Sequence, residues 1–342
     1  MRAARFHQHG GPEVFRYEEA PDPELTPGHV LVRVRACALN HLDLWQRRGL
    51  ERVRIPLPHI SGADVAGEVL DAGGLAGLAA GTRVLLQPGQ SCGRCMRCLS
   101  GEDNYCPAYD VLGYQSDGGY AQLVAVPAAN VVPIPDDIPF TKAAAFPLVF
   151  LTAWHMLVTR ARLVETDTVL VLAAGSGVGQ AAVLIARAAR ARVIATARGA
   201  DKADKARALG ADLVVDTDRE DLVATVRRFT DGRGATLVVE HVGQGTWDKS
   251  VRCLSQGGRL VTCGATSGHD VSLDLRHLFA RQLTVLGSYM GGKAELLRVA
   301  QLFFRGVLSP VIDSTFPLSE TAQAHRRMES SERFGKIVLV VD

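Results

Sequence analysis

Four cysteines, Cys92, Cys95, Cys98 and Cys106, fall in one short stretch with two, two and seven residues between successive members. Thiolates at this spacing can close a tetrahedron around Zn²⁺, and four of them leave the ion no open position, so the chemistry they offer is the shaping of a loop. An iron–sulfur cluster, hinted at by Cys106-Pro107, would place three residues before its last cysteine. A nucleic-acid-binding zinc ribbon would set its cysteine pairs farther apart and add a basic face. Cys37, Cys253 and Cys263 are scattered in apolar contexts, and a total of seven cysteines is odd for a disulfide framework. The pattern suits metal binding in a reducing compartment.

A second constellation is Val169-Leu-Val-Leu-Ala-Ala-Gly-Ser-Gly-Val-Gly179. Here a β-rich run enters a glycine-rich turn and then a helical pattern, the context in which unpaired amides at a helix start cradle a pyrophosphate. Counting back from Gly179, the usual first and second fingerprint glycines fall on Ala174 and Ser176, while Gly175 and Gly177 occupy the alternate positions and Val178 lies between. A helix-packing turn in an unrelated protein is the bland alternative, which the strand before and the helix after argue against. At the end of the next strand, where a carboxylate would hold the ribose hydroxyls of NAD, the chain has Ala197, Arg198 and, a little further on, Lys202. With no acid there, a 2′-phosphate meets no repulsion and a guanidinium can bind it, so NADP(H) is expected over NAD(H). Arg198 and Lys202 also fit a solvated helix start.

These residues need elements to hold them. The first third alternates short β-rich runs with Gly and Pro, at 30–36, 65–70, 82–86 and 120–126, and reads as an all-β unit. From about Leu151 strands alternate with helices: strands over 168–173, 192–197, 213–215 and 236–240, helices over 178–191, 202–209 and 222–229. That alternation specifies a parallel sheet covered on both faces. Helical stretches at 293–305 and 320–329 precede a last strand, 336–341, which needs a partner and is expected to return to the first domain.

The bulk numbers set limits. At 342 residues with 47% hydrophobic and 22% charged content, the chain is globular material for two domains. Its 38 basic and 36 acidic residues are evenly spread, so neither nucleic acid nor a membrane surface is expected as a partner. No signal-peptide stretch and no run near the ~20 apolar residues of a membrane span is present, and a cytoplasmic protein is the expectation.

Together the β-rich first half, the four-cysteine lobe and the later glycine-rich βαβ unit resemble the medium-chain dehydrogenase/reductase superfamily over nearly the whole chain. Val32 to Asp43, Gly62 to Val69, Gly118 to Ala121, Leu151 to Ala153, Gly210 to Asp212, Leu286 to Ser288 and Gly335 to Leu339 agree in kind and order. The resemblance implies an α/β protein. A GroES-like β-rich catalytic domain would comprise 1–148 and 290–342, with a structural zinc lobe at about 90–107, and a Rossmann doubly wound domain would comprise 149–289.

Aligned this way, the family's three catalytic zinc ligands fall on Asn40, Ala63 and Leu148, and its hydroxyl relay falls on Leu42 and Trp45. An amide, a methyl and an isobutyl group cannot replace two thiolates and an imidazole. The pattern resembles the zinc-free quinone and enoyl reductase branch, except that this branch commonly lacks the cysteine lobe. One structural zinc and no catalytic zinc are therefore expected. An unconventional second site from His41, His59 and Asp64 is the alternative, against packing roles for both histidines.

The expected reaction is hydride transfer from NAD(P)H, in a cleft between the domains, to an activated carbonyl, an enone, an enoyl thioester or a quinone, acceptors that carry their own electron sink. Asn40 is the candidate donor to the developing oxygen, with its amide N–H pointing into the vacated metal position. Asp43 would orient the loop, and Asp64 belongs to the same candidate centre. By resemblance Thr152, Val242, Gly264, Ser288 and Lys336 would contact the cofactor. Two alternatives stand beside this: a zinc alcohol dehydrogenase, and a non-catalytic NAD(P)H sensor. A homodimer or homotetramer is expected by resemblance, joined through edge strands around 260–263 and 284–286.

Overall fold

The computed structural model describes residues 1–50, 53–75 and 77–342. The chain divides into two compact units, Met1–Leu148 with Gly292–Asp342, and Val149–Gly291.

The first unit is built on a seven-stranded sheet whose central path runs Ile312–Pro317, Lys336–Val340, His29–Ala38, Asp64–Asp71, Arg83–Leu86, Val131–Pro133. Leu123–Pro127 pairs with the first part of His29–Ala38. Along His29–Ala38 the residues Val30, Val32 and Val34 are buried and alternate with more exposed neighbours, the period of a sheet with one face on a core. The last strand does return here: it runs antiparallel to His29–Ala38, with Val338 opposite Ala38.

The unit is not all-β. His41–Arg48 is a helix, and its start is fixed by the Asp43 carboxylate accepting a 2.8 Å hydrogen bond from Asn40 N. The Asn-x-x-Asp spacing carries that capping signal, which the density of β-rich runs around it outweighs in a sequence reading. Helices Lys293–Phe304 and Thr321–Glu329 also belong to this unit.

The second unit holds a six-stranded parallel sheet in the order Leu213–Asp216, Arg192–Ala197, Thr168–Val171, Ala235–Glu240, Leu254–Thr262, Thr284–Gly287. The order reverses beside Thr168–Val171, which makes the carboxyl end of that strand the topological switch point of a doubly wound sheet. All four residues of Thr168–Val171 are buried because helices cover both faces. One expectation fails at the edge. Leu254–Thr262 is flanked on both sides, and only Thr284–Gly287, more exposed along its length, forms that border of the sheet. No helix among the described residues is long and apolar enough to cross a membrane.

Candidate functional site

In the first unit, the ends of separate elements gather a buried polar cluster. Asn40 follows the central strand, Asp43 sits in the first turn of the next helix, and Asp64 and Lys336 each open a strand. Leu39 N donates to Ile337 O, and this register brings Lys336 alongside Asn40. Lys336 Nζ donates to Asn40 Oδ1 at 2.6 Å and to Asp64 Oδ2 at 2.9 Å. Asp64 Oδ2 also accepts from Asn40 Nδ2 at 2.9 Å, and its Oδ1 accepts from Leu148 N at 2.7 Å. All four side chains are buried, Asp64 at 0% exposure and Lys336 at 3%.

Asn40 is engaged through both atoms of its amide. Its amide hydrogens are turned to Asp64 and, at 3.5 Å, to Ala38 O, and its oxygen is held by an ammonium. The amide is a strut of the cluster, bonded on one side to Asp64 and on the other to Lys336. Only the register of the terminal strand reveals this.

Asp43 forms the other end. Its Oδ2 accepts from Asn40 N and from Tyr120 OH, each at 2.8 Å, while Oδ1 has no partner among the described residues. Burial pushes the Asp43 carboxyl up to about 6 against the pull of those donors and of Lys336, and it pushes the Tyr120 phenol well above its ordinary value. A carboxyl whose folded value exceeds its unfolded one favours the fold when protonated, so its contribution is present at low pH and is lost as pH rises through about 6. Asp43→Asn is therefore expected to remove a fall in stability between about pH 4 and 7 worth on the order of 3 kcal/mol. Denaturant melts at several pH values check this; a wild-type curve of the same shape as the variant's would discard it.

The residues aligned with the catalytic zinc ligands offer no donor set. Asn40 is engaged as described, Ala63 is fully buried, and Leu148 contributes only its backbone amide to Asp64. His59 Nε2 lies 3.1 Å from Gly113 O, and the His41 ring packs on Trp45 with centroids 5.0 Å apart, so both histidines are engaged in packing. Among the described residues the only group fit to hold a metal is Cys92, Cys95, Cys98 and Cys106.

Their sulfurs all lie within 4.8 Å of one another, with Cys95 3.5 Å from Cys98 and 3.8 Å from Cys106. A tetrahedron with Zn–S bonds of about 2.3 Å has edges near 3.8 Å, and the four fit it. The short helix Met96–Leu99 begins at Cys95 and the turn Asp103–Tyr105 delivers Cys106. Asp103 ties the lobe down by accepting from Lys293 N at 3.0 Å.

In the second unit the glycine-rich turn follows Thr168–Val171 and leads into the helix Gly177–Ala188. Ser176 caps that helix, its Oγ accepting from Gly179 N at 2.9 Å. A Cβ on Gly179 would stand 2.3 Å from Ala173 O, so only glycine lets the helix approach the strand this closely. Ala174 is buried, and Ala173, with φ of 47°, makes the sharp turn. Gly175, Gly177 and Val178 complete the turn and first helical residues, half-buried.

Other expected cofactor positions lie at strand ends of the same sheet: Ala197 closes Arg192–Ala197, Val242 and Gly264 follow the next two strands, and Ser288 follows Thr284–Gly287. Ser288 Oγ is buried with no partner among the described residues, and the Thr152 hydroxyl, also buried, sits 4.0 Å from Met290 Sδ. Arg198 is exposed, and Lys202 lies in the helix Ala200–Ala208.

Two residues escape the sequence reading. His241 Nε2 is 2.9 Å from Ser176 Oγ, an approach set by the pairing of Thr168–Val171 with Ala235–Glu240. Asp216, the last residue of Leu213–Asp216, accepts from Gly199 N at 3.0 Å and from Asp218 N at 3.2 Å, and these bonds hold its carboxyl below its ordinary value, so a negative charge lies against the turn that holds Arg198.

Residues 26–136 match the alcohol dehydrogenase GroES-like domain, and residues 177–305 match the zinc-binding dehydrogenase domain. An alcohol dehydrogenase of Geobacillus stearothermophilus is 31% identical over 345 residues, covering 100% of both chains. The chain belongs to the medium-chain zinc alcohol dehydrogenase family. It is an alcohol dehydrogenase-like oxidoreductase, which sets aside the sensor alternative. An NAD-dependent alcohol dehydrogenase of Sulfolobus acidocaldarius is 32% identical over 100% of both chains, and a crotonyl-CoA reductase of Streptomyces collinus is 30% identical over 94% of this chain and 80% of its own. A crystal structure of an NAD-dependent alcohol dehydrogenase superposes with a TM-score of 0.97 at 46% identity, covering 100% of both chains. In this medium-chain dehydrogenase the cysteine lobe is the structural zinc site.

Proposed function

We propose that the chain is an NAD(H)-dependent oxidoreductase interconverting an alcohol and a carbonyl compound. The observation that carries the reading is the Ser176-capped helix start with Gly179 pressed on Ala173, a cradle a Cβ would fill, in a chain matched from end to end by alcohol dehydrogenases. The names of those relatives favour the alcohol–carbonyl pair over the quinone or enone expected from the sequence. They also favour NAD(H), and the NADP(H) expectation finds no support: the Asp216 carboxylate, bonded to Gly199 N next to Arg198, would repel a 2′-phosphate bound at that turn.

The bound dinucleotide supplies or accepts the hydride. Amides at the start of Gly177–Ala188 would hold its pyrophosphate, Thr152 and Ser288 would border its nicotinamide, and Val242 and Gly264 would flank it. In the first unit the buried cluster in which Asn40, Lys336 and Leu148 N hold Asp64 would be the group that meets a polar substrate atom. Because Asn40, Ala63 and Leu148 do not make a zinc donor set, no step is routed through a second metal.

A second reading, reduction of an enoyl thioester, is favoured by the crotonyl-CoA reductase relatives and by the same missing donor set. One experiment separates the two: NAD⁺ with a panel of primary and secondary alcohols, NADH and NADPH with aldehydes, ketones, enoyl thioesters and quinones. Turnover on alcohol–carbonyl pairs is expected, with NADH bound at least about tenfold more tightly than NADPH, the step lost when a 2′-phosphate faces a fixed carboxylate. Activity confined to NADPH and enoyl thioesters would replace the first reading with the second.

A further inference from the structure

We propose that His241 is a positioning residue for the cofactor's pyrophosphate: it donates its Nε2–H to Ser176 Oγ and so turns the serine's own hydrogen toward a phosphate oxygen. The inference rests on the dinucleotide reading above and assigns a task to a side chain that the reading leaves unused.

The geometry lies wholly within the second unit. Ser176 Oγ accepts from Gly179 N at 2.9 Å, and His241 Nε2 lies 2.9 Å from the same oxygen. A hydroxyl has one hydrogen and two lone pairs. Gly179 N takes one pair, so the contact with His241 has two forms. Either the serine gives its only hydrogen to a bare Nε2, or Nε2–H fills the second pair and the serine hydrogen remains for a ligand. The amides and the positive end of the dipole at the start of Gly177–Ala188 favour an anion there, and an anion accepts hydrogen bonds and gives none. The second form is the one that serves it. Ser176 is half-buried whereas His241 is 7% exposed, so the imidazole acts on a ligand through the serine.

The strands on either side of the turn hold both side chains in place. From Arg192–Ala197, Thr196 Oγ1 accepts from Ala173 N at 2.8 Å and Thr196 O accepts from Ala174 N at 2.9 Å. On the other side His241 directly follows Ala235–Glu240, whose parallel pairing sets Val239 opposite Val171 and brings the two strand ends level. The neighbouring Glu240 carboxylate accepts from Val242 N at 2.7 Å and from Gly243 N at 3.0 Å, which pins the backbone next to the histidine. A Cβ on Gly264 would stand 3.1 Å from His241 O, so the end of the following strand packs against it as well. An imidazole confined in this way presents Nε2 to Ser176 as an aligned partner before any ligand arrives.

The test uses the full chain as wild type, His241→Gln, His241→Phe, Ser176→Ala and Ser176→Ala/His241→Phe. Calorimetry reads the Kd for NADH, and displacement of NADH reads those for ADP-ribose and for adenosine, which has no phosphate. His241→Phe is expected to weaken NADH and ADP-ribose about tenfold, the worth of one hydrogen bond to a charged group, and to leave adenosine within about twofold. Glutamine can offer an N–H at a similar reach, so His241→Gln is expected to stay within about threefold of wild type for all three. In the Ser176→Ala background, His241→Phe is expected to cost nothing further, whereas a packing role gives additive losses and no rescue by glutamine. With ¹⁵N-labelled histidine, the signals missing from His241→Gln identify the ring, and the ADP-ribose complex is expected to show it protonated at Nε2.

A bare Nε2 in that complex would overturn the proposal, and so would additive losses, a loss that extends equally to adenosine, or undiminished ADP-ribose binding by His241→Phe. Should His241→Phe fail to fold, the ¹⁵N signature of the wild type decides alone. A wild type that binds neither NADH nor ADP-ribose would bring down the dinucleotide reading and this role with it; a wild type that binds both while the variants match it removes only the role of His241.

Discussion

Replacing Cys106 with Ser is expected to reduce zinc from about one ion per chain to nearly none and to release the lobe around residues 92–106. The four sulfurs lie within 4.8 Å of one another, and the segment has little else to hold it: Met96 and Leu99 are 78% and 71% exposed. An exposed loop with so small a core keeps its shape through the metal. Structural zinc in small domains contributes on the order of 10 kcal/mol of apparent binding free energy, most of it folding free energy. Here the rest of the first unit has its own core, so the loss falls on the lobe and on its tie from Asp103 to Lys293 N.

A cost of roughly 4 kcal/mol is expected, and at about 2–4 °C per kcal/mol for a unit of this size the melting midpoint drops by about 10 °C. Elemental analysis, thermal melts and limited proteolysis at Arg94 or Arg97 check the three parts. Full zinc retention in the variant, or a second equivalent of zinc in the wild type that survives there, would contradict the assignment of one closed four-cysteine site.

The second large effect is at Gly179. Its Cβ position lies 2.3 Å from Ala173 O and 2.9 Å from both Ala173 C and Ser176 Oγ. Those first two contacts are backbone atoms of the turn, which no rotamer change can relieve. Gly179→Ala must push the helix Gly177–Ala188 off its strand by about 1 Å, an overpacking cost of about 1–3 kcal/mol. It also breaks the cap in which Gly179 N donates to Ser176 Oγ, and with it the alignment of the amides that would meet a pyrophosphate. NADH affinity is expected to fall by at least about a hundredfold, as calorimetry would measure, with the first unit's zinc content untouched. An alanine variant that binds NADH like the wild type would remove this turn from the cofactor site.

Much of both arrangements is legible in the residue order, because each is local. The cysteines of the lobe lie within 15 positions of one another, and their spacing alone limits what they can bind. The glycine turn is likewise one strand, one turn and one helix start in succession. The change from short β-rich runs to alternating strands and helices marks where one unit gives way to the other, since side-chain periodicity is a property of each segment. The helix His41–Arg48 is the instructive miss: its Asn40-x-x-Asp43 cap is written in the chain, but eight residues among many strands are a weak signal.

What the sequence could not determine is whatever depends on which strand lies beside which. Lys336 and Asn40 are 296 positions apart, and Asp64 and Lys336 are 272 apart. No periodicity or spacing links them; they meet because the terminal strand pairs antiparallel with His29–Ala38. The same holds for Asp216 beside Gly199, for His241 beside Ser176, and for the rank of Leu254–Thr262 inside its sheet. Local pattern chose the elements and the zinc ligands, since those follow from backbone geometry and donor chemistry within a few residues. Strand order and register alone decided that a lysine ammonium lies against Asn40 and Asp64, because cross-strand neighbours are fixed only when the whole sheet has closed.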